Sequence, residues 1–524
     1  MLHPPAPRKG RATLRPPRGA PARETPTAGP REQELKLRLR PQDVTRLRAR
    51  LDALAPSRRE PVDSIYLDTP DRRLARARAA LRLRALGSGR RMRWVQTLKT
   101  DDGGAAFSLR GEWETQAPGG RLSPALLAHS PLARLLAAPG PGVPGALAPV
   151  FRTRFERTTW NLAYRGARIE AVIDDGAIEA GPRREAILEA ELELKDGPAQ
   201  AVWRLARELC GGAGRSGLYL LPYGDSKAAR GYRLALDLAP FPAGARPLPR
   251  IDPRQSAGQT ARDLLAHEMI PLLANVAGVL SSADPGFAHR ARVGVRRMRA
   301  GLESLDTPLP AGLAHGLQRL GAQLGAARDW DVLCEKLLPP LVAAQGGQAA
   351  AAWSRVVAAA QRRRQAALQR LRGQLAAPSF AQWALRLLQW SAAPPPAPGI
   401  RVDRVAGKSV RRGVRRVAVA ARGFSRRSPQ RQHRIRLQAK AVRYAIDILG
   451  EVLPRKRSRA ARRALARFQD AAGHAQDMCV LVRSIARLTR SATLRRAALE
   501  WTEAQRARAI AEAQRHADAL SAWR

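Results

Sequence analysis

A chain of 524 residues with 45% hydrophobic content exceeds what one core usually serves and is too apolar for wholesale disorder, so two or three folded domains are expected. A formal net charge of +48 and a pI near 11.7 imply a polyanionic partner: nucleic acid, an anionic membrane surface or polyphosphate. Only 5% of residues are aromatic and no basic run is interleaved with them, which disfavours stacking-based reading of single strands and leaves nucleic acid as at most a nonspecific partner.

Residues 1–30, opening MLHPPAPRKGRATLRPPRG, are rich in Pro, Arg and Gly without periodicity and read as a disordered basic tail, with no apolar stretch of a secretory signal. No run of about 18 uncharged apolar residues occurs, so no membrane span is expected. Cys210, Cys334 and Cys479 lie far apart without ligand-like pairing, which fits small core residues in a reduced cytoplasm.

Residues 31–238 are predicted to be mostly short strands separated by turn signals such as DDGG and APGG. Strand alternation puts Glu32, Glu34, Lys36, Arg38 and Arg40 on one face of EQELKLRLR, with Leu35, Leu37 and Leu39 on the other. ALRLR then offers Arg82 and Arg84, QTLK offers Lys99, and RGEWE offers Arg110, Glu112 and Glu114. In FRTRFER, Arg152, Arg154 and Arg157 fall on both faces, so the inward residue stays open. EAELELK repeats the first design, with Glu189, Glu191, Glu193 and Lys195 opposite Leu192 and Leu194.

A solvated outer face explains any one such strand. Together they argue otherwise, because three Glu in a row on one face repel, and a multivalent cation among them reverses the sign of that repulsion. Glutamate oxygens suit magnesium or manganese, while Arg and Lys strands suit phosphate. A closed barrel with a charged, wet interior and its leucine face covered by helices satisfies both demands.

EQELK, YLDTPDRRLARARAALRLR, QTLKT, RGEWE, IDDGAI, EAELELKDG and SKAARGY occur in the order seen in the CYTH domain of triphosphate tunnel metalloenzymes, which this region resembles. The resemblance implies an eight-stranded antiparallel tunnel with flanking helices, and activities among inorganic triphosphatase, thiamine triphosphatase and adenylate cyclase. It implies that Glu32, Glu34, Glu112, Glu114, Asp174, Glu189, Glu191 and Glu193 hold Mg2+ or Mn2+. Lys36, Arg82, Arg84, Lys99, Arg110, Arg154, Arg157 and Lys227 would clamp the triphosphate, with Glu32, Glu34, Lys36 and Glu191 at the centre of catalysis.

Residues 239–257 read as a Pro-rich linker, and residues 258–520 are rich in Ala, Leu and Arg at helical spacing. This helical part is duplicated. HRARVGVRRMR from His289 is followed by LGAARDWDVL, and HRIRLQAKAVR from His433 by AGHAQDMCVL, matching Gly325 to Gly473 and Asp329 to Asp477. Positions i, i+3, i+7 and i+10 share an arc of roughly 80° on a helix. His289, Arg292, Arg296 and Arg299 therefore form one stripe, and His433, Arg436, Lys440 and Arg443 form another. Ordinary solvated faces carry paired acids, and neither stretch contains one. Arg297 lies beside the first stripe, and Lys408, Arg411, Arg412, Arg415 and Arg416 precede the second.

These paired motifs resemble the CHAD domain, a duplicated all-α helical bundle, which implies binding of inorganic polyphosphate. The fold expected is thus α+β and multidomain. The function expected is a metal-dependent inorganic triphosphatase with a polyphosphate-binding helical domain, cytoplasmic and associated with polyphosphate granules. The alternatives are a polyphosphate-binding, granule-targeting protein with a slow or regulatory tunnel, a thiamine triphosphatase, or an adenylate cyclase.

Overall fold

In the computed structural model, the described residues are 31–521 without 88, 90–91, 102–106, 124–128, 138–146, 212–216, 239–247, 249, 348 and 396–398. The basic tail and most of the Pro-rich linker therefore lie outside the described residues.

The first half is an antiparallel barrel. Its strands are β1 (Arg31–Arg38), β2 (Ser57–Asp68), β3 (Ala79–Leu86), β4 (Arg93–Asp101), β5 (Phe107–Gln116), β6 (Ala148–Tyr164), β7 (Ala167–Ala180), β8 (Arg183–Asp196) and β9 (Leu221–Pro222). They run in the order β5-β4-β3-β2-β6-β7-β8-β1-β9, and pairing of β1 with β5 closes the ring. The count is nine rather than eight: eight strands close the barrel, and β9 is a two-residue addition lying against Leu37 and Arg38 of β1.

Period-2 patterning sets what each face meets. Leu35, Leu37 and Leu39 are buried outside the barrel in one core with Leu47 and Leu51 of α1 (Val44–Asp52), and with Val202, Leu205 and Leu209. Arg73–Arg76 and Leu132–Ala137 form the short helices α2 and α3, and Gln200–Cys210 forms α4. Helix α5 (Lys227–Ala235), capped by the Ser226 hydroxyl accepting from the Ala229 amide, packs on β6, β7 and β8 and carries buried Lys227 and Arg230. The β6–β7 hairpin turns through Arg165 and Gly166, both at positive φ, as a tight hairpin requires.

The second half is all-helical: α6 (Ala257–Ser281), α7 (Pro285–Ser304), α8 (Ala311–Val332), α9 (Leu338–Ala343), α10 (Ala350–Leu375), α11 (Pro378–Ala392), α12 (Val402–Ala421), α13 (Pro429–Leu449), α14 (Arg455–Leu488) and α15 (Ala492–Ser521). Helix α6 is long and apolar enough, by length and composition alone, to cross a membrane. Its apolar side chains instead fill the bundle, with Leu264, Leu265, Met269, Leu272 and Val276 all buried. Helix α7 packs on α8 and α13 on α14, and the two stripe-bearing helices α7 and α13 pack directly on each other.

The halves share one apolar core. Helix α11 lies against α4 and β9, placing Leu385, Leu387 and Leu388 in the same cluster as Leu205, Leu209 and Leu221. Arg40 donates to the Ala376 carbonyl at 3.2 Å and Arg207 to Gln389 at 3.1 Å across this contact. All three cysteines are free, with Cys210 and Cys334 buried and Cys479 half-buried.

Candidate functional site

Inside the barrel is a cavity of about 890 Å³. Strand alternation delivers Glu34, Lys36, Arg82, Arg84, Lys99, Glu112, Glu114, Arg157, Glu191 and Glu193 to it, and α5 delivers Lys227. The register is direct: Lys36 stands opposite Glu191 and Glu34 opposite Glu193 across β1 and β8. Glu32 and Arg110 face each other in the β1–β5 pairing, but their side chains lie outside the described residues.

Two lysines hold the acidic side of the cavity. Lys36 pairs with Glu34 at 2.8 Å and also with Glu191. Lys227 reaches Asp174 at 2.7 Å and Glu191 at 3.1 Å and also pairs with Glu189. Burial pushes both ammonium groups down, but the carboxylates outweigh it and hold both above the ordinary lysine value. Burial likewise works against charged Glu191, yet Lys227, Lys36 and Arg157 keep it well below the usual carboxylate range.

Asp174, Glu189 and Glu191 bring carboxylate oxygens within 4.8 Å of one another, close enough to share a cation. In this structure both oxygens of Asp174 are taken, accepting from Arg157 at 2.8 and 2.7 Å. Both oxygens of Glu189 are taken too, by Lys227 on one side and by Tyr223 and Arg230 on the other. These two acids lie beneath the cavity wall and orient Lys227 and Arg157. The carboxylates bordering the cavity are Glu34, Glu112, Glu114, Glu170, Glu191 and Glu193, a hard-oxygen set that fits Mg2+ or Mn2+, although Glu191 too has both oxygens engaged, by Lys36 and Lys227 on one and Arg157 on the other.

The opposite wall is cationic. Lys99 pairs with Glu112 at 3.0 Å, and Arg82 lies 3.6 Å from the same carboxylate. Arg84 has no ion pair among the described residues, and its Nε is buried without a hydrogen-bond partner. Burial, then Arg82 and Arg157, lower its pKa to about 10.

Arg154 is a correction. It lies on the outer face, half exposed, 3.4 Å from Asp63 and 3.5 Å from Glu179, while Arg157 is the inward residue. Phe151, Thr153 and Phe155 are buried on the face that Arg157 continues, and Arg152 and Arg154 share the other parity. Sequence reasoning missed Tyr66, Arg78, Glu170 and Tyr232, which also border the cavity, and Tyr223 and Arg230 beneath it. Glu170 was findable, since it shares the parity of Asp174 in RIEAVID.

In the helical half, the packing of α7 on α13 brings the stripes together. Arg292 and Arg296 act electrostatically on Lys440 and Arg436, and Lys440 on His289. The downstream Gly–Asp elements seat the arginines. A β-carbon on Gly325 would lie 3.7 Å from Arg292, and one on Gly473 would lie 3.3 Å from Arg436. Arg292 pairs with Asp329 at 3.4 Å, and Asp477 is the foremost of the carboxylates that act on Arg436, ahead of Asp329 and Asp470. Burial and neighbouring cations lower both His289 and His433 below the ordinary histidine value. Burial, then Arg292, takes Arg296 to about 10.

Arg297 is a second correction. It leaves the stripe and pairs at 3.1 Å with buried Glu268 of α6, because position i+8 turns to the other side of the helix. Arg299 is exposed, and Arg443 donates to Gln469 at 3.0 Å. Lys408, Arg411, Arg412 and Arg415 lie on the exposed face of α12, whose Val410, Val414 and Val417 are buried, and Arg416 lies 3.6 Å from Glu303.

Comparison with known proteins follows this division. The family model of the CYTH domain matches residues 30–232 and that of the CHAD domain matches residues 263–486. An inorganic triphosphatase from Haemophilus influenzae is 36% identical over 88 residues, covering 17% of this chain and only 24% of that protein. The crystal structure of a CHAD domain from the plant Ricinus communis is 27% identical, covers 54% of this chain and 96% of its own, and has a TM-score of 0.40. A putative adenylyl cyclase from Hippeastrum with a dominant triphosphatase activity is 19% identical, covers 38% of this chain and 95% of its own, and has a TM-score of 0.28. The chain therefore carries a CYTH domain followed by a CHAD domain.

Proposed function

We propose that the barrel hydrolyses inorganic triphosphate to pyrophosphate and phosphate, and that the helical half binds inorganic polyphosphate. The carrying observation is Arg84, a half-buried arginine whose Nε is buried without a partner and which has no ion pair among the described residues, in a cavity it shares with Lys36, Arg82, Lys99, Arg157 and Lys227. A partly desolvated charge of this kind is tolerable where an anion completes it. The local match to an inorganic triphosphatase supports triphosphate as that anion.

Lys36, Arg82, Arg84, Lys99, Arg157 and Lys227 would bind the phosphate oxygens and stabilise the charge spread over the transferred phosphoryl group. Asp174 and Glu189 fix Arg157 and Lys227 in place beforehand, so the cations do not reorganise during reaction. Glu34, Glu112, Glu114, Glu191 and Glu193 would hold Mg2+ or Mn2+, which when bound neutralises phosphate charge and makes hydroxide available at neutral pH.

The test is phosphate release from triphosphate, ATP, thiamine triphosphate and long polyphosphate with each divalent metal. Preference for triphosphate, lost in Glu34→Gln and Glu191→Gln, supports the reading. Equal turnover in both variants rejects the metal assignment.

One observation favours a second reading. The net charge of +48 far exceeds what triphosphate requires, as a polyphosphate-binding, granule-associated protein with a slow tunnel would need. Tight binding of long polyphosphate without turnover of any substrate would establish it.

A further inference from the structure

The two stripes differ at one telling position. The third member is Arg296 in the first copy and Lys440 in the second. A guanidinium keeps its proton throughout the physiological range, whereas an ammonium can release one.

Lys440 is placed where release is favoured. It is half-buried on α13, between Arg436 one turn before it and Arg443 one turn after, and Arg292 and Arg296 act on it from α7. Among the described residues no carboxylate forms an ion pair with its ammonium, which lies 5.9 Å from the centre of the Tyr444 ring. The acids nearest in role serve other partners: Asp329 pairs with Arg292, and Asp477 acts on Arg436.

We propose that Lys440, flanked by arginines and without a carboxylate partner among the described residues, is the proton-accepting member of the polyanion site, taking up a proton when a phosphate chain enters. The inference rests on the reading that the helical half binds polyphosphate. Burial, then Arg296 and Arg436, bring the Lys440 ammonium down to about 7. A phosphate chain opposes both causes, since it supplies the missing counter-charge and hydrogen-bond acceptors.

The sign follows from linkage. The group is neutral in the free state above about 7 and charged in the bound state, so binding takes up a proton there and weakens as pH rises. Below about 7 the amine already carries its proton and contributes no pH dependence. Other titratable and charged groups face the same cluster. His289 and His433 are lowered from 6.5 and add their own uptake only in acid. From α8 come Arg328 and Asp329, and from α14 come His474, Asp477 and Arg483.

The experiment is calorimetric titration of the full chain with inorganic polyphosphate of one defined length, between pH 6.5 and 9, in two buffers of different ionisation enthalpy. Wild type is expected to take up about one proton per site near pH 8 and to lose affinity by up to about tenfold per pH unit above neutrality. Lys440→Arg, which fixes the charge, is expected to bind with a flat profile over that range and to exceed wild type at pH 9. Equal pH slopes in the two proteins, or no proton uptake by wild type, overturn the role of Lys440 while leaving polyphosphate binding intact. Absence of binding at every pH in low salt overturns the polyphosphate reading itself and this inference with it.

Discussion

The guanidinium of Arg436 lies over Gly473, 3.3 Å from where a β-carbon would stand, and Arg292 lies in the same way over Gly325 at 3.7 Å. Each glycine is a seat that leaves the arginine side chain room against the neighbouring helix. Gly473→Val is expected to displace Arg436 and weaken polyphosphate binding by about tenfold, equivalent to about 1.4 kcal/mol. Gly325→Ala, with more clearance, is expected to cost less than about threefold. Binding assays on both variants, with helix content checked by circular dichroism, test the ordering.

Arg84 carries charge in a half-buried position without an ion pair among the described residues, so its removal is expected to separate stability from activity. Arg84→Gln should lower kcat/KM for triphosphate by about a hundredfold, in line with loss of one charged donor to the transferred group. It should leave the melting temperature unchanged or raised, because an unpaired, partly desolvated charge is gone. A drop in melting temperature would show that Arg84 is structural.

Arg157 and Arg154 stand three residues apart on β6 and face opposite sides. Arg157→Ala leaves Asp174 buried with only Lys227 to balance it, and is expected to destabilise the barrel by about 3 kcal/mol as well as to abolish turnover. Arg154→Ala removes an exposed pair, worth at most about 1 kcal/mol, and should leave kcat/KM unchanged. Chemical denaturation and steady-state kinetics on the two variants distinguish them.

Glu268 gives a pH signature to the helical half. Burial pushes its carboxyl up to about 7, and Arg297 only partly offsets this. A raised folded-state pKa means the group contributes its full stability below the unfolded value of about 4.5, and the contribution fades as pH rises through about 7. At pH 8 the buried carboxylate is a burden, so Glu268→Gln is expected to raise stability there by about 2 kcal/mol and to change it little at pH 5. Thermal melts at the two pH values measure the difference.

The inward set of β1 was legible because a strand alternates strictly: once Leu35 and Leu37 need a core, Glu34 and Lys36 have one direction left. β6 offered a weaker lever: FRTRFER carries basic residues on both parities, although Phe151 and Phe155 share the parity of Arg157, and register with β7 decides for Arg157. The departure of Arg297 from the stripe was half legible. Its angular position set it apart, but Glu268 sits on a helix 29 positions earlier, and no local pattern announces that partner. Tyr223 and Arg230 were missed for the same reason, since each matters through a hydrogen bond to Glu189, more than thirty residues away in sequence.

The common core beneath α4, β9 and α11 has a bearing on how such a chain can change. Leu205, Leu209 and Leu221 touch no phosphate, yet each must suit Leu385 and Leu388 across the seam as well as its own strands and helices. Neither half can drift freely in sequence or be exchanged for a distant counterpart without exposing that seam to water. The marriage of barrel and bundle is thus inscribed in leucines rather than in the arginines that first draw the eye.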